Sequence, residues 1–252
     1  MTSKPPPHSP PPQVPPPGPV GLLIIDTPLG PTSAGVCAVV KHALRRAGAP
    51  RSTKVGHAGT LDPLATGIIV VLIGRAATRL SHAIMAGEKR YLAEVDLSRR
   101  STTDDREGET TDIHPLRAPS LLDLRAACDR FVGAIEQAPP AHSAIRLGGT
   151  RAYELARAGE LHTLAPRTVV IYSIDILDYA YPIARLDIRC AKGVYIRSLA
   201  RDLGRALTGG GMLLSLRRTQ VGPYTLEHAV RLDSLSSTFS PTQLMPLPNL
   251  AP

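Results

Sequence analysis

The chain has 252 residues, 43% of them hydrophobic and 20% charged, enough to bury one ordinary core and too apolar for a disordered chain. Its formal charge of +8 and pI near 9.8 point to an acidic partner such as nucleic acid or only to a solubilising surface, and net charge does not choose between them. Proline occupies the place of a secretory signal's apolar region, no apolar run nears the roughly 20 residues of a spanning helix, and Cys37, Cys128 and Cys190 lack paired spacing, so a cytoplasmic protein with core cysteines is expected.

Ten of the 25 prolines fall in the first 20 residues, so residues 1–19 are expected as an extended tail. "VGLLIIDTP" then reads as a buried strand, and "TSAGVCAVVKHALRRAG" as a helix with a Thr or Ser cap. "GIIVVLIG" suits a central strand covered on both faces, "ATRLSHAIMAG" a second helix, and "KRYLAEVDLS" a strand with one face toward the core. "RRSTTDDREGETTD" reads as a polar loop, and the helical spacing resumes over "PSLLDLRAACDRFVGAIEQ". Beyond it, "RAYELARAGE" predicts a short helix, "RTVVIYSIDILDYAY" and "IARLDIRCAKG" two strands, "YIRSLARDLGRALTG" a helix closed by glycine, and "GMLLSLRRTQVGPY" a last strand. The mixture lacks regular strand-helix alternation, which predicts an α+β domain over 20–238 around a mixed, largely antiparallel sheet flanked by helices, with residues 239–252 as a second tail.

One stretch asks for more than a fold. In "GHAGTLDPLATG", Asp62 precedes Pro63, whose ring restricts the backbone of both residues and so aims the carboxylate. Asp before Pro is also an ordinary turn signal. His57 lies five residues upstream, but no serine motif or metal-ligand set accompanies the pair, so hydrolase and metal readings are weak. Lys41, His42, Arg45, Arg46, Arg51 and Lys54 form a cationic approach that suits a phosphate backbone. Arg197, Arg201 and Arg205 share a helix face, readable as a solvated stripe or as phosphate contacts, and Arg197 follows Lys192, Gly193 and Tyr195 at a strand-to-helix junction.

Together, "GLLIIDTPLGPTS", "GHAGTLDPLATGIIVVLIGRAATR", "EKRY", "GGTRAYELARAGE", "AKGVYIRSLARDLG" and "LLSLRRTQVGPY" closely resemble the TruB family of tRNA pseudouridine synthases, over roughly residues 20–230. The resemblance implies the pseudouridine synthase fold and isomerisation of uridine 55 in the tRNA T loop, with the base flipped into a pocket. It makes Asp62 the catalytic aspartate that forms an adduct with sugar or base, and Arg197 the arginine that pairs with it. Tyr91 becomes the tyrosine that stacks on the flipped uracil and assists proton removal at carbon 5. His57 contacts the substrate loop, and Tyr195 and Leu216 line the base pocket. An isomerisation without net redox change or consumption of water implies no cofactor and no metal. The implied partner is the tRNA T stem-loop, with no membrane, and the implied state is a monomer.

The sequence departs from the family pattern at Thr27, where lysine is usual, and at His142 and Arg146, where tyrosine and lysine are usual; these positions bear on local RNA contacts. The family's C-terminal PUA module finds no counterpart after "VGPYTLEHAVRLDSL". Two other readings stand beside the first: a guide-RNA-dependent pseudouridine synthase, and an RNA-binding protein that helps tRNA fold with dispensable catalysis.

Overall fold

A computed structural model describes residues 18–143, 145–159, 164–235 and 239–249. The proline-rich stretch expected as a tail lies almost wholly outside them. In chain order the elements are β1 (Gly21–Thr27), α1 (Ser33–Arg46), β2 (Val55–His57), β3 (Ala65–Ile73), α2 (Gly74–Arg79), α3 (Ser81–Ala86), β4 (Lys89–Asp96), β5 (Arg99–Ser101) and β6 (Thr110–Asp112). They continue with α4 (Leu121–Asp129), β7 (Gly133–Gln137), β8 (Arg146–Leu147), β9 (Thr150–Arg151), α5 (Ala152–Arg157), β10 (Arg167–Ala180) and β11 (Ile183–Cys190). The last are α6 (Ile196–Leu207), β12 (Met212–Val221), β13 (Tyr224–Thr225) and β14 (Val230–Arg231).

The main sheet runs β14-β1-β3-β12-β4-β11-β10-β7, with β2 on β3 and β13 on β12. Only β1 with β14 and β12 with β3 pair parallel, so the sheet is mixed and largely antiparallel, in an α+β domain. Its two halves are covered differently. The β1–β3 half is apolar on both faces: Leu23, Ile25, Ile69 and Val71 pack with α1, and Leu22, Ile24, Ile68 and Val70 pack toward α2 and α3. Each such side chain contributes about 1.5–3 kcal/mol by burial. Along β4 exposed or half-buried residues separate the buried Lys89, Tyr91, Ala93 and Val95, and only the buried face meets α4 and α6. The open face carries Arg90–Asp187, Arg185–Glu94 and Arg189–Glu88 ion pairs at 2.6, 2.8 and 2.8 Å.

Sequence pattern explains most boundaries. Thr32 caps α1 by accepting the Gly35 N–H at 3.0 Å, and Ser120 and Asp123 form a capping box on α4. Gly204 lets α6 press onto the start of β12, since a Cβ there would overlap the backbone of Gly210 and Gly211.

Four expectations need correction. "ATRLSHAIMAG" forms two short helices, α2 and α3, separated at Leu80. The helix expected through "FVGAIEQ" stops at Asp129; Gly133 takes a φ of +99°, and β7 joins the sheet against β10. The polar loop folds as the β5–β6 hairpin, with Asp105 buried at 2% exposure. Residues 239–249, expected to trail away, turn back onto the domain: Leu22 and Met245 exchange backbone hydrogen bonds of 2.9 and 2.8 Å, and Leu244 and Leu247 pack on the core. No helix among the described residues is long and apolar enough to cross a membrane.

Candidate active site

Asp62 lies in the turn between β2 and β3, and the backbone of that turn is pinned on every side. The buried Ser33 hydroxyl, at the start of α1, donates to the Leu61 carbonyl at 3.2 Å and accepts the Leu61 N–H at 2.9 Å. Gly30 N–H donates to the Pro63 carbonyl at 2.9 Å, and Ala65 N–H closes the turn onto the Asp62 carbonyl at 2.9 Å. Arg218 holds the carbonyls of Gly59 and Thr60 from below. With its backbone fixed, the Asp62 side chain, 35% exposed, projects into a cleft of about 310 Å³.

Arg197, in the first turn of α6, meets it there. Its Nε lies 2.9 Å from Asp62 Oδ2, yet this buried nitrogen has no hydrogen-bond partner, so its N–H is not aimed at the carboxylate. The contact is an ion pair with an unspent hydrogen bond, a geometry that substrate binding can tighten. The rest of the guanidinium is committed: Nη1 donates to the Thr103 carbonyl at 3.2 Å and lies 3.4 Å from Asp105 Oδ2, and Nη2 donates to the His142 carbonyl at 3.0 Å.

Tyr91, Tyr195 and Leu216 line the same cleft. Burial pushes the Tyr91 hydroxyl pKa up, a rise partly offset by the Arg218 charge, so the phenol stays protonated at neutral pH. Tyr195 is held through its backbone by the buried Gln137 side chain, which accepts the Tyr195 N–H at 2.8 Å and donates to its carbonyl at 3.1 Å. Arg167 stands 5.3 Å from the Tyr195 ring centroid and donates to the Gly193 carbonyl at 2.7 Å. His57 is different. It sits on β2 outside the cleft lining, its Nδ1 buried without a partner, and burial and then Arg218 push its pKa down.

Residues that sequence reasoning did not single out supply much of the frame: Ser33, Asp105, Gln137, Arg167 and Arg218, together with Lys89, whose Nζ donates to the carbonyls of Met85 and Gly87. The readable signal was confined to Arg218 and Lys89, charges on inward-facing strand positions. Of the helical arginines, Arg201 is an ion-paired structural residue, 2.8 Å from Asp104 and 2.9 Å from Asp202, whereas Arg205 is exposed. Thr27 is buried, and the Arg146 side chain lies outside what is described.

The cleft lining carries five cations, Lys89, Arg167, Lys192, Arg197 and Arg218, and the single carboxylate Asp62. The excess of positive charge suits a phosphate-bearing ligand, and the one carboxylate, Asp62, stands between apolar and aromatic walls. Among the described residues no group of three or more His, Cys, Asp or Glu side chains is placed to hold a metal.

Comparison with known proteins agrees over nearly the whole domain. Residues 45–196 match the family described as TruB family pseudouridylate synthase (N terminal domain), and residues 197–244 match the tRNA pseudouridylate synthase B C-terminal domain. The tRNA pseudouridine synthase B of Thermobifida fusca is 44% identical over 235 residues, covering 90% of this chain and 77% of that protein. That of Bordetella avium is 41% identical, covering 88% of each. Among solved structures, a Cbf5-Nop10-Gar1 complex contains a chain that is 28% identical with a TM-score of 0.63; the match covers 84% of this chain and about half, 52%, of that one.

Proposed function

Because the chain belongs to the TruB family of pseudouridylate synthases, we infer that it is a tRNA pseudouridine synthase, isomerising uridine 55 in the T loop of tRNA. The observation that carries the site is the Asp62–Arg197 pair facing a cleft walled by Tyr91, Tyr195 and Leu216. In the reaction the C1′–N1 bond of the nucleotide breaks and a C1′–C5 bond forms, while C5 loses its hydrogen and N1 gains one, so atoms and oxidation state balance within the substrate.

Each side chain has a part in that exchange. Asp62 is the nucleophile that holds the fragment between bond breaking and bond making, by adduct with the sugar or with the base. Arg197 orients the carboxylate and balances the charge that moves as the adduct forms. Tyr91 and Leu216 sandwich the flipped uracil, and the Tyr91 phenol, protonated in the free enzyme, lies where it can relay the C5 hydrogen. Tyr195, locked by Gln137 and Arg167, walls the pocket. His57, beside the turn rather than in the cleft, is suited to contact the RNA loop outside the reacting base. A site built within one chain supports action as a monomer, and a tRNA substrate supports a cytoplasmic location.

The test is to incubate purified protein with unmodified, guide-free tRNA and map pseudouridine chemically. Product at position 55 from the wild type and none from Asp62→Asn is the expected outcome; equal product from both, or product only with a guide RNA, removes the assignment.

A further inference from the structure

Below the Asp62 turn lies a buried charge that the reaction just described does not use. Arg218, on β12, is 2% exposed, and among the described residues none of the fully buried side chains is larger. Its Nε donates to the Ile68 carbonyl at 2.7 Å, Nη1 to the Thr60 carbonyl at 3.0 Å and Nη2 to the Gly59 carbonyl at 3.3 Å. Those carbonyls stand at the two ends of the segment that carries Asp62. We propose that Arg218 is a positioning residue for the isomerisation: its guanidinium clasps the two ends of the Asp62 turn and thereby sets the direction in which the carboxylate projects. The proposal rests on the pseudouridine synthase reading above.

Three observations converge on this role. First, the geometry uses what only arginine offers, several N–H donors fixed in one plane and spread over three separate carbonyls. Second, a cation at this depth costs solvation, and no carboxylate among the described residues lies in ion-pair range of it; an apolar side chain would fill the same volume at lower cost unless the carbonyls needed donors. Arg218 makes no ion pair with Asp62, so it reaches that carboxylate through backbone, unlike Arg197; its side-chain contact with the cleft residues named above is with the Tyr91 hydroxyl.

Third, the strand is built to deliver the side chain to this spot. Arg218 pairs with Tyr91 on β4 and Gln220 with Arg90, so Thr219 is an extra residue, a bulge of the kind that re-aims a neighbouring side chain. On the other flank Arg218 pairs with Gly67, whose φ is +99° and where a Cβ would overlap the Arg218 carbonyl. The close approach of β3 and β12 at this point brings the guanidinium under the turn.

Arg218→Met and Arg218→Lys test the proposal, with single-turnover pseudouridine formation at saturating enzyme, the Kd for unmodified tRNA, amide exchange at residues 59–66 and NMR titration of His57. Methionine removes a buried charge and is expected to fold. It should slow the single-turnover rate at least tenfold, leave Kd within twofold, speed exchange at Leu61 and Ala65, and raise the His57 pKa; lysine, which keeps the charge but cannot span three carbonyls, should slow the rate less and leave His57 unmoved. A wild-type rate in folded Arg218→Met, a rate loss that disappears at saturating protein, or failure of both variants to fold would each overturn the role in the turn. If the wild type itself makes no pseudouridine, the functional reading falls, while amide exchange still reports whether Arg218 holds the turn.

Discussion

Asp105 lies 3.4 Å from Arg197 through the guanidinium Nη1, and its carboxylate is only 3% exposed. It is itself fixed by the Thr103 hydroxyl at 2.5 Å and the Glu107 N–H at 3.0 Å. Arg197 therefore stands between two carboxylates, one buried and structural, the other in the cleft. The buried one limits how far the guanidinium can follow Asp62.

Asp105→Asn keeps the shape and removes this restraint. Asp105 meets Arg197 as an ion pair without a hydrogen bond between the two side chains, so neutralising it is expected to slow the single-turnover rate roughly tenfold, about 1.4 kcal/mol. The tRNA Kd should stay within twofold, because Asp105 does not reach the cleft. Rapid-quench kinetics with enzyme in excess measures both, and an unchanged rate would refute the restraint.

Gln137 braces the wall of the pocket rather than the Asp62 turn. Gln137→Ala leaves the Tyr195 N–H and carbonyl without their buried partners, at a cost of about 1–3 kcal/mol. For a domain of this size that lowers Tm by about 2–12 °C. Substrate affinity should weaken with it as Tyr195 loses its fixed position. Calorimetry and a KM measurement on the same preparation check the two effects together.

How far the site could be read in advance differs residue by residue. Asp62 announces itself through the proline that follows it, but nothing local ties it to Arg197, 135 residues later; only the family resemblance joined them. Arg218 carries a signal, a charge two residues after Leu216 and so on the same face of the strand, but "RR" in a strand also reads as surface charge, and of the two only Arg217 faces out, 2.8 Å from Asp26. Asp105 lies in a stretch with no apolar period, and its burial comes from backbone pairing of residues 104–106 with Leu213 on β12 and from Arg197 and Arg201 of α6, contacts that no window of sequence encodes. His57 stands near Asp62 in sequence but not in the cleft, because β2 runs antiparallel to β3 and leaves the ring beside the turn. The strands themselves were legible, because β-branched runs and two-residue alternation are local. The helix expected through β7 failed because apolar spacing over a short run fits both periods.

Lys89 gives a pH signature. Burial, followed by the charges of Arg218 and Lys192, pushes its pKa down from 10.5 to about 8. Between those values the unfolded chain binds the proton more tightly than the folded one, so stability rises with pH across that window and is lost as pH falls through about 8. Lys89→Met abolishes the effect. Urea unfolding at pH 7 and pH 10 should show the stability difference between wild type and variant moving in favour of the wild type at the higher pH. A difference constant with pH would mean that Lys89 keeps its ordinary affinity for protons.

The final expectation concerns how the RNA reaches the cleft. Between Asp26 and Glu88 the chain has one carboxylate, Asp62, while Lys41, Arg45, Arg51, Lys54, Arg75 and Arg79 are all exposed. Among the described residues none of these six pairs with a carboxylate, whereas arginines on the open sheet face, Arg90, Arg185 and Arg189, are each neutralised by one. Unpaired cations on α1, α2 and the segment before β2 are free to displace counterions from a phosphate backbone, and each phosphate so contacted adds about 0.7–0.9 to the slope of log K against log salt. Lys41→Gln with Lys54→Gln should therefore weaken tRNA binding, flatten that slope by about one to two, and leave the single-turnover rate at saturation unchanged. Gln for Arg90 and Arg189, whose charges are already spent on Asp187 and Glu88, should leave the slope nearly as it was. A slope altered equally by both pairs would mean that the RNA senses only net charge and not this face.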